Sequence, residues 1–148
     1  MNIFLGTDHA GFELKETIKE FLAGRGYAVK DCGNVLYDKT DDYPDFIKPV
    51  AVAVANDPEQ SRGIIFGWSG QGEAIVANRF PGVRAVVYVG QGEEAIMLSR
   101  EHNDANVLSF GAHFVKPSDA KRLVQVWLST PFSGEARHLR RIQKIDHQ

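Results

Sequence analysis

Cysteine is nearly absent from this sequence: Cys32 is the one thiol among 148 residues, so no disulfide can form within the chain. A chain of this length without disulfides must be held by its apolar core, and an isolated thiol fits a reducing compartment. Long apolar runs are missing as well. None approaches the roughly 20 residues needed to cross a bilayer, and the first residues lead into a strand pattern without the layout of a signal peptide. An excess of charge is also lacking. The 17 Lys and Arg stand against 19 Asp and Glu, which is not the basic footprint of a nucleic-acid binder. Internal repeats, linkers and low-complexity stretches are absent too. Together these absences predict one cytoplasmic domain over residues 1–148, with neither a membrane nor a nucleic acid as partner.

What is present is alternation. Short apolar runs at residues 2–5, 27–30, 62–66, 83–88 and 106–109 read as strands, separated by segments with helical spacing. Leu14, Ile18, Phe21 and Leu22 form the first such segment, stopped by Gly24 and Gly26. Phe46, Ile47, Val50 and Val54 form the second, in which Pro49 is expected within the first turn. Further helices are expected over 74–79, 93–101 and 118–128, the last capped by Ser118, and a polar helix from about Gly134 to the end. Strands alternating with helices predict an α/β fold: a three-layer αβα domain around a five-stranded parallel, Rossmann-like sheet. The expected strand order is 2-1-3-4-5, which places the switch point between strands one and three.

The loops after those two strands carry the candidate chemistry. Residues 63–78 read Gly-Ile-Ile-Phe-Gly-Trp-Ser-Gly-Gln-Gly-Glu-Ala-Ile-Val-Ala-Asn. A buried strand runs here into a glycine-rich turn at a helix start, where backbone N–H groups and the helix dipole favour an anion. Ser69 and Glu73 are the hydroxyl and carboxylate placed in that turn. A carboxylate beside a site for negative charge suits proton abstraction through an oxyanion intermediate.

Other motif readings fail. The first strand is followed by Gly-Thr-Asp-His-Ala-Gly, not a dinucleotide fingerprint, and no Walker A sequence is present. Gly67-Trp68-Ser69-Gly70 misses the serine-hydrolase elbow because Gln71 occupies its final glycine position. Gly67 also stands where a phospho-acceptor Asp would be. The five histidines, His9, His102, His113, His138 and His147, show no ligand spacing, so the pattern argues against a metal.

Each candidate also has a plain structural reading. Glu73 could merely complement the helix dipole, although the glycine cluster favours function. Ser69 could be an N-cap, which is compatible with donating to an anion. Asp8 and His9 could shape a turn, but two titratable groups at a strand's carboxyl end favour a site. For His102, just past the fourth helix, dipole partner and site residue stand even. Arg137 and Arg141, four apart, form a solvated stripe in the commoner reading and a phosphate grip in the other. Cys32 reads as a small buried hydrophobe.

Taken jointly, several segments resemble the ribose-5-phosphate isomerase type B family, which includes galactose-6-phosphate isomerase subunits. They are Gly6-Thr7-Asp8-His9-Ala10-Gly11, Asp42-Tyr43-Pro44, Gly67 to Glu73, Ala77-Asn78-Arg79, Arg84-Ala85, Arg100-Glu101-His102-Asn103-Asp104, Arg137 and Arg141. The match runs in order along nearly the whole chain. The resemblance implies a metal-free and cofactor-free aldose–ketose isomerase acting on a phosphorylated sugar through a cis-enediolate. Glu73 would carry the proton between C1 and C2. Ser69 and the N–H groups of Gly70 and Gly72 would hold the enediolate oxygens. His102 and Asp8 would assist ring opening, and Asn103 would contact sugar hydroxyls. His9, Arg137 and Arg141 would hold the phosphate, with Tyr43 as a wall and Gly67, Trp68 and Gln71 lining the substrate. The resemblance further implies a homodimer, with a tetramer as the alternative, in which the His102-Asn103 pair enters the neighbouring subunit's site.

Three departures from the family pattern stand out. A cysteine base common at position 67 is replaced by Gly67, which places the chain with the glutamate branch. Trp68 replaces a usually small residue, and His113 stands where that branch tends to have a phosphate-binding Arg. The last two leave a hexose 6-phosphate of allose or galactose type as an alternative substrate to ribose 5-phosphate. A non-catalytic sugar-phosphate or nucleotide-binding module is the competing class. It would need the loops and arginines but not Glu73.

Overall fold

Ile64, Ile65 and Phe66 are completely inaccessible to solvent, as befits a strand covered on both faces. They lie at the centre of the fold in the computed structural model, which describes residues 1–147. The elements follow the expected alternation: β1 (Asn2–Thr7), α1 (Phe12–Ala23), β2 (Ala28–Asp31), α2 (Tyr43–Asn56), β3 (Ser61–Gly67), α3 (Gln71–Ala77), β4 (Ala85–Tyr88), α4 (Glu93–Asn103), β5 (Val107–Gly111), α5 (Pro117–Ser129) and α6 (Ala136–Asp146). All strand pairs are parallel. One face of the sheet packs against α1, α4 and α5 through Leu14, Ile18, Leu22, Ile96, Leu123 and Trp127. The other packs against α2 and α3 through Ile47, Val50, Val54 and Ala77. No helix of the described residues is long and apolar enough to cross a membrane.

The strand order is 2-1-3-5-4 rather than 2-1-3-4-5. The expected order assumed that consecutive strands are spatial neighbours. Burial decides otherwise: every residue of β5 is buried, whereas Ala85, Val86 and Val87 of β4 are only half covered. The fully buried strand takes the inner place and β4 becomes the edge. Its outward backbone groups are met by side chains. Ala85 N–H donates to Asn78 Oδ1 at 2.7 Å and Ala85 C=O accepts from Asn78 Nδ2 at 3.0 Å. Gln91 bonds Val89 N–H at 2.8 Å and Val87 C=O at 3.2 Å. An edge closed in this way resists pairing with a further strand. The swap leaves the β1–β3 switch point where it was expected.

Two local expectations are corrected. Pro49 lies within the interior of α2 and not in its first turn. It is exposed, so the Asp45 carbonyl, one turn earlier on the same face, can turn to solvent. Lys116, not Ser118, precedes α5, and no side chain caps that helix, because Pro117 at its first position presets the entry. The final helix stops at Asp146, and Gln148, included in the expected helix, lies outside the described residues.

Trp127 tests the core. It is fully buried, with the Arg100 guanidinium 5.9 Å over its ring, and its indole N–H has no hydrogen-bond partner among the described residues. Trp127→Ala should cost about 3–5 kcal/mol in urea unfolding. Trp127→Phe should cost less than about 1.5 kcal/mol, because an unsatisfied donor disappears along with the lost area.

Candidate active site

β3 ends at Gly67 and the chain turns through Trp68, Ser69 and Gly70 into α3. Gly70 adopts φ 75°, in the left-handed region. A Cβ there would stand 2.9 Å from the Phe110 carbonyl carbon and 3.0 Å from Gly111 N. The turn is fastened to the loop after β5. Ala112 N–H donates to Gly67 C=O at 2.8 Å and His113 N–H to Trp68 C=O at 3.2 Å. Ser109, which the sequence did not single out, donates its hydroxyl to Gly70 C=O at 2.7 Å. Ser69 Oγ accepts from Gln71 N–H at 3.4 Å, so its cap-like role is present but loose.

Glu73 sits in the first turn of α3 and is 5% exposed. Its carboxylate folds back over Gly67: a Cβ built on Gly67 would fall on the Glu73 carboxyl atoms. A side chain at position 67 and this placement of Glu73 exclude each other, so the missing cysteine and the present glutamate are one structural fact. Burial pushes the Glu73 carboxyl above its ordinary range, its own backbone N–H partly offsets this, and the Asp8 charge adds to the rise. A carboxylate raised toward neutrality is a better proton acceptor at the pH where it works. Tyr43, in the first turn of α2, stands against the glycine turn. Its ring and hydroxyl lie 2.8 Å from where a Cβ on Gly72 would be.

The β1 loop lies beside this turn, since Thr7 pairs in register with Phe66 and donates its hydroxyl to Phe66 C=O at 2.8 Å. Asp8 is 7% exposed and accepts from Ala10 N–H at 2.9 Å. Burial raises its carboxyl, which the Ala10 bond and the His9 charge oppose. His9 Nδ1 lies 2.7 Å from Asp41 Oδ1, which also accepts from His9 N–H at 3.0 Å. The hydrogen bond to Asp41 raises His9. Asp41 escaped the sequence reading, because an acid in a polar loop carries no periodic signal. Atoms of Asp8, His9 and Asp41 all lie within 4.8 Å of one another, a grouping that the spacing of the histidines conceals. Trp68 and His113 are stacked at 4.2 Å and 16°, with Phe114 edge-on to both. Trp68 and His113 border a cleft of about 420 Å³ that also touches Ala10, Glu13 and Thr17. Cys32 is half-buried, and burial pushes its thiol up, which is no setting for a nucleophile.

The remaining candidates lie elsewhere. Helix α4 returns from the carboxyl end of β4 to the amino end of β5, so His102 and Asn103 are at the opposite edge of the sheet from Glu73. The five residues of β5 alone span about 16 Å at the rise of a strand. His102 stacks on His138 of α6 at 4.3 Å and 14°. The His138 ring is buried, its Nε2 has no partner among the described residues, and burial and the neighbouring His102 push it below its ordinary range. Arg84 braces this corner, donating to the carbonyls of Asn103 and Asp104, each at 3.1 Å, and pairing with Asp104 and Asp146 at 2.9 Å. Arg137 is exposed and bonds Glu135 at 2.8 Å, and Arg141, one turn on, is exposed as well. One chain thus carries two groups: Asp8, His9, Tyr43, Glu73 and His113 with the glycine turn at the carboxyl edge, and His102, Asn103, Arg137 and Arg141 at the α4–α6 corner.

A buried carboxylate of raised proton affinity, beside a glycine turn at the switch point of a doubly wound sheet, is the kind of site that proton-transferring enzymes use. Comparisons give the family. The Ribose/Galactose Isomerase family model matches residues 3–145, and the chain belongs to that family. It is 42% identical over 142 residues to ribose-5-phosphate isomerase B of Mycolicibacterium paratuberculosis, covering 96% of this chain and 87% of the relative. It is also 42% identical to ribose-5-phosphate isomerase B of Escherichia coli, covering 97% and 93% of the two chains. The solved structure of Mycoplasma genitalium ribose-5-phosphate isomerase B with bound ribulose-5-phosphate superposes with a TM-score of 0.92 at 39% identity, covering 97% and 93%.

The burial of Glu73 has a consequence for stability. An acid raised in the folded state destabilises the fold progressively as pH climbs above its unfolded value, here 4.5. Glu73→Gln should therefore be more stable than wild type at pH 7, and the gap should close below about pH 4.5. Urea unfolding at several pH values measures this. A gap independent of pH would mean that Glu73 is not held at an elevated value.

Proposed function

We propose that this chain interconverts ribose 5-phosphate and ribulose 5-phosphate through a cis-enediolate, in the cytoplasm and without a metal, with Glu73 as the base. The observation that carries the reading is the Glu73 carboxylate, buried and folded over Gly67 inside the glycine turn. In the open-chain aldose, the carboxylate takes the C2 proton and returns it to C1, while the hydroxyl proton of O2 passes to O1, so that the C1 carbonyl becomes a hydroxyl and the C2 hydroxyl becomes the carbonyl. Ser69 and the N–H groups of Gly70 and Gly72 bear the oxygen charge as it develops, the term that usually dominates enolisation barriers. Bound ribulose-5-phosphate in the Mycoplasma genitalium relative supports the pentose over a hexose.

The site is completed by a second copy. His102 of the partner subunit and Asp8 open the sugar ring, Asn103 of the partner subunit contacts its hydroxyls, and His9 holds the phosphate with Arg137 and Arg141 of the partner subunit. Support for this reading is that these groups stand at opposite edges of one chain. Moreover, Leu139 and Ile145 of α6 are 44% and 50% exposed, an apolar strip the chain itself does not cover.

Glu73→Gln should lower kcat by about 100- to 10,000-fold with the fold intact. Gly67→Ala should do nearly as much by displacing the carboxylate. Across ribose 5-phosphate, allose 6-phosphate and galactose 6-phosphate, kcat/KM should be highest for the pentose, and activity should persist in excess chelator. A wild-type rate for Glu73→Gln would remove the proposed base.

Subunit exchange checks the shared site. Inactive Glu73→Gln and His102→Ala homodimers, once mixed, should regain part of the activity, because each mixed dimer contains one site with both native groups. Proven exchange without recovery would confine each site to its own chain. Arg137→Ala and Arg141→Ala should each weaken sugar-phosphate binding by about 1.5–3 kcal/mol, with a non-phosphorylated sugar much less affected.

A further inference from the structure

We propose that Asp41 is a positioning residue for His9, fixing the imidazole so that it grips a phosphate only as the imidazolium. The inference rests on the reading of His9 as a phosphate ligand. Oδ1 of Asp41 takes two hydrogen bonds from the same residue, from the backbone N–H at 3.0 Å and from the ring Nδ1 at 2.7 Å. A carboxylate has no proton to give at neutral pH, so Nδ1 carries the hydrogen in both charge states of the ring. The neutral ring must then present a bare Nε2 lone pair, which repels a phosphate oxygen. Only the protonated ring offers an Nε2–H donor.

Asp41 is itself held. Its side chain is 6% exposed, and its second oxygen accepts from Asn34 Nδ2 at 3.3 Å. Asn34 C=O accepts in turn from Lys15 Nζ at 2.9 Å. Lys15 is completely buried, and its ammonium also pairs with Asp31 at 2.7 Å and Glu16 at 2.9 Å. A charged lysine at the root of α1 therefore anchors the long loop before α2, and that loop presents Asp41 to His9. The other groups facing the ring are Asp8, 3.9 Å from Nδ1, the charge of Asp38 in the same loop, and the edge of Tyr37, with ring centroids 6.2 Å apart. Within this chain the charges acting on the ring, those of Asp8, Asp38 and Asp41, are negative and favour the cation.

The test is Asp41→Asn, which keeps the shape and an oxygen for the Nδ1 hydrogen while removing the charge. His9 is followed by ring-nitrogen NMR, assigned by its loss in His9→Gln, and inorganic phosphate serves as the probe of the anion subsite. In the wild type, the neutral ring should be the Nδ1–H tautomer, and phosphate affinity should fall as pH rises through the His9 midpoint. In Asp41→Asn that midpoint should move down by about one unit or more, the usual effect of losing an opposite charge at this range. Phosphate affinity at pH 7.5 should then fall about tenfold and KM should rise with it, with kcat within about twofold, as expected for lost uniform binding. An unmoved midpoint, or an Nε2–H tautomer in the wild type, would overturn the role of Asp41. A moved midpoint with unchanged phosphate affinity would overturn it differently, by showing that the phosphate does not rest on His9. Asp41→Ala, which frees the neutral ring to become Nε2–H, should bind phosphate above the midpoint more tightly than Asp41→Asn, and the reverse order would also count against the lock.

Discussion

The space left by a missing side chain governs this site. Gly67 ends the central strand with no Cβ, and the carboxylate of Glu73 occupies the vacated volume. That placement requires the left-handed Gly70, the fastening of the turn to the loop after β5, and the burial of β3 and β5 side by side. The same confinement that aims the carboxylate also removes it from water and raises its proton affinity. Position and reactivity thus share one cause. The fold carries a burden for it, since an acid held in this way weakens the folded state at the pH where the enzyme works.

Around that point the chain divides its chemistry. The carboxyl ends of β1 and β3 bring Asp8, His9 and Glu73 to one edge, because parallel strands in register end together. Helix α4 must run back to start β5, and so it carries His102 and Asn103 to the other edge. A parallel sheet cannot gather both groups in one chain. In the proposed homodimer the second copy supplies the group that one chain holds apart, and the exposed apolar residues Leu139 and Ile145 of α6 are a surface for it.

The loop before α2 illustrates a different economy. It contains no regular structure between Asp31 and Tyr43, yet a fully buried lysine, Lys15, holds its base and Asp41 bonds the ring at its far end. An unpaired lysine in that position would be strongly unfavourable, but here three oxygen partners surround the ammonium. Buried charge is used here to fix a loop, and the loop in turn fixes a histidine. A hydrophobic anchor of the same volume would hold the loop without constraining its carbonyl directions.

The sequence by itself determined the alternation of elements, the parallel sheet, the switch point and the place of the 67–73 turn beside it. These follow from local signals: apolar runs, glycines and a carboxylate in a first helical turn. It did not determine which strand lies at the edge, because that depends on how completely β4 and β5 are covered by other elements. Nor could it reveal Asp41, whose partner is 32 residues away, or Ser109, whose partner is 39 residues away. The exclusion between Gly67 and Glu73 was half legible. Both residues were in view, but only the backward turn of a helix start brings them into the same space. Local periodicity follows from the residues' own order, whereas contact across the fold is decided by packing.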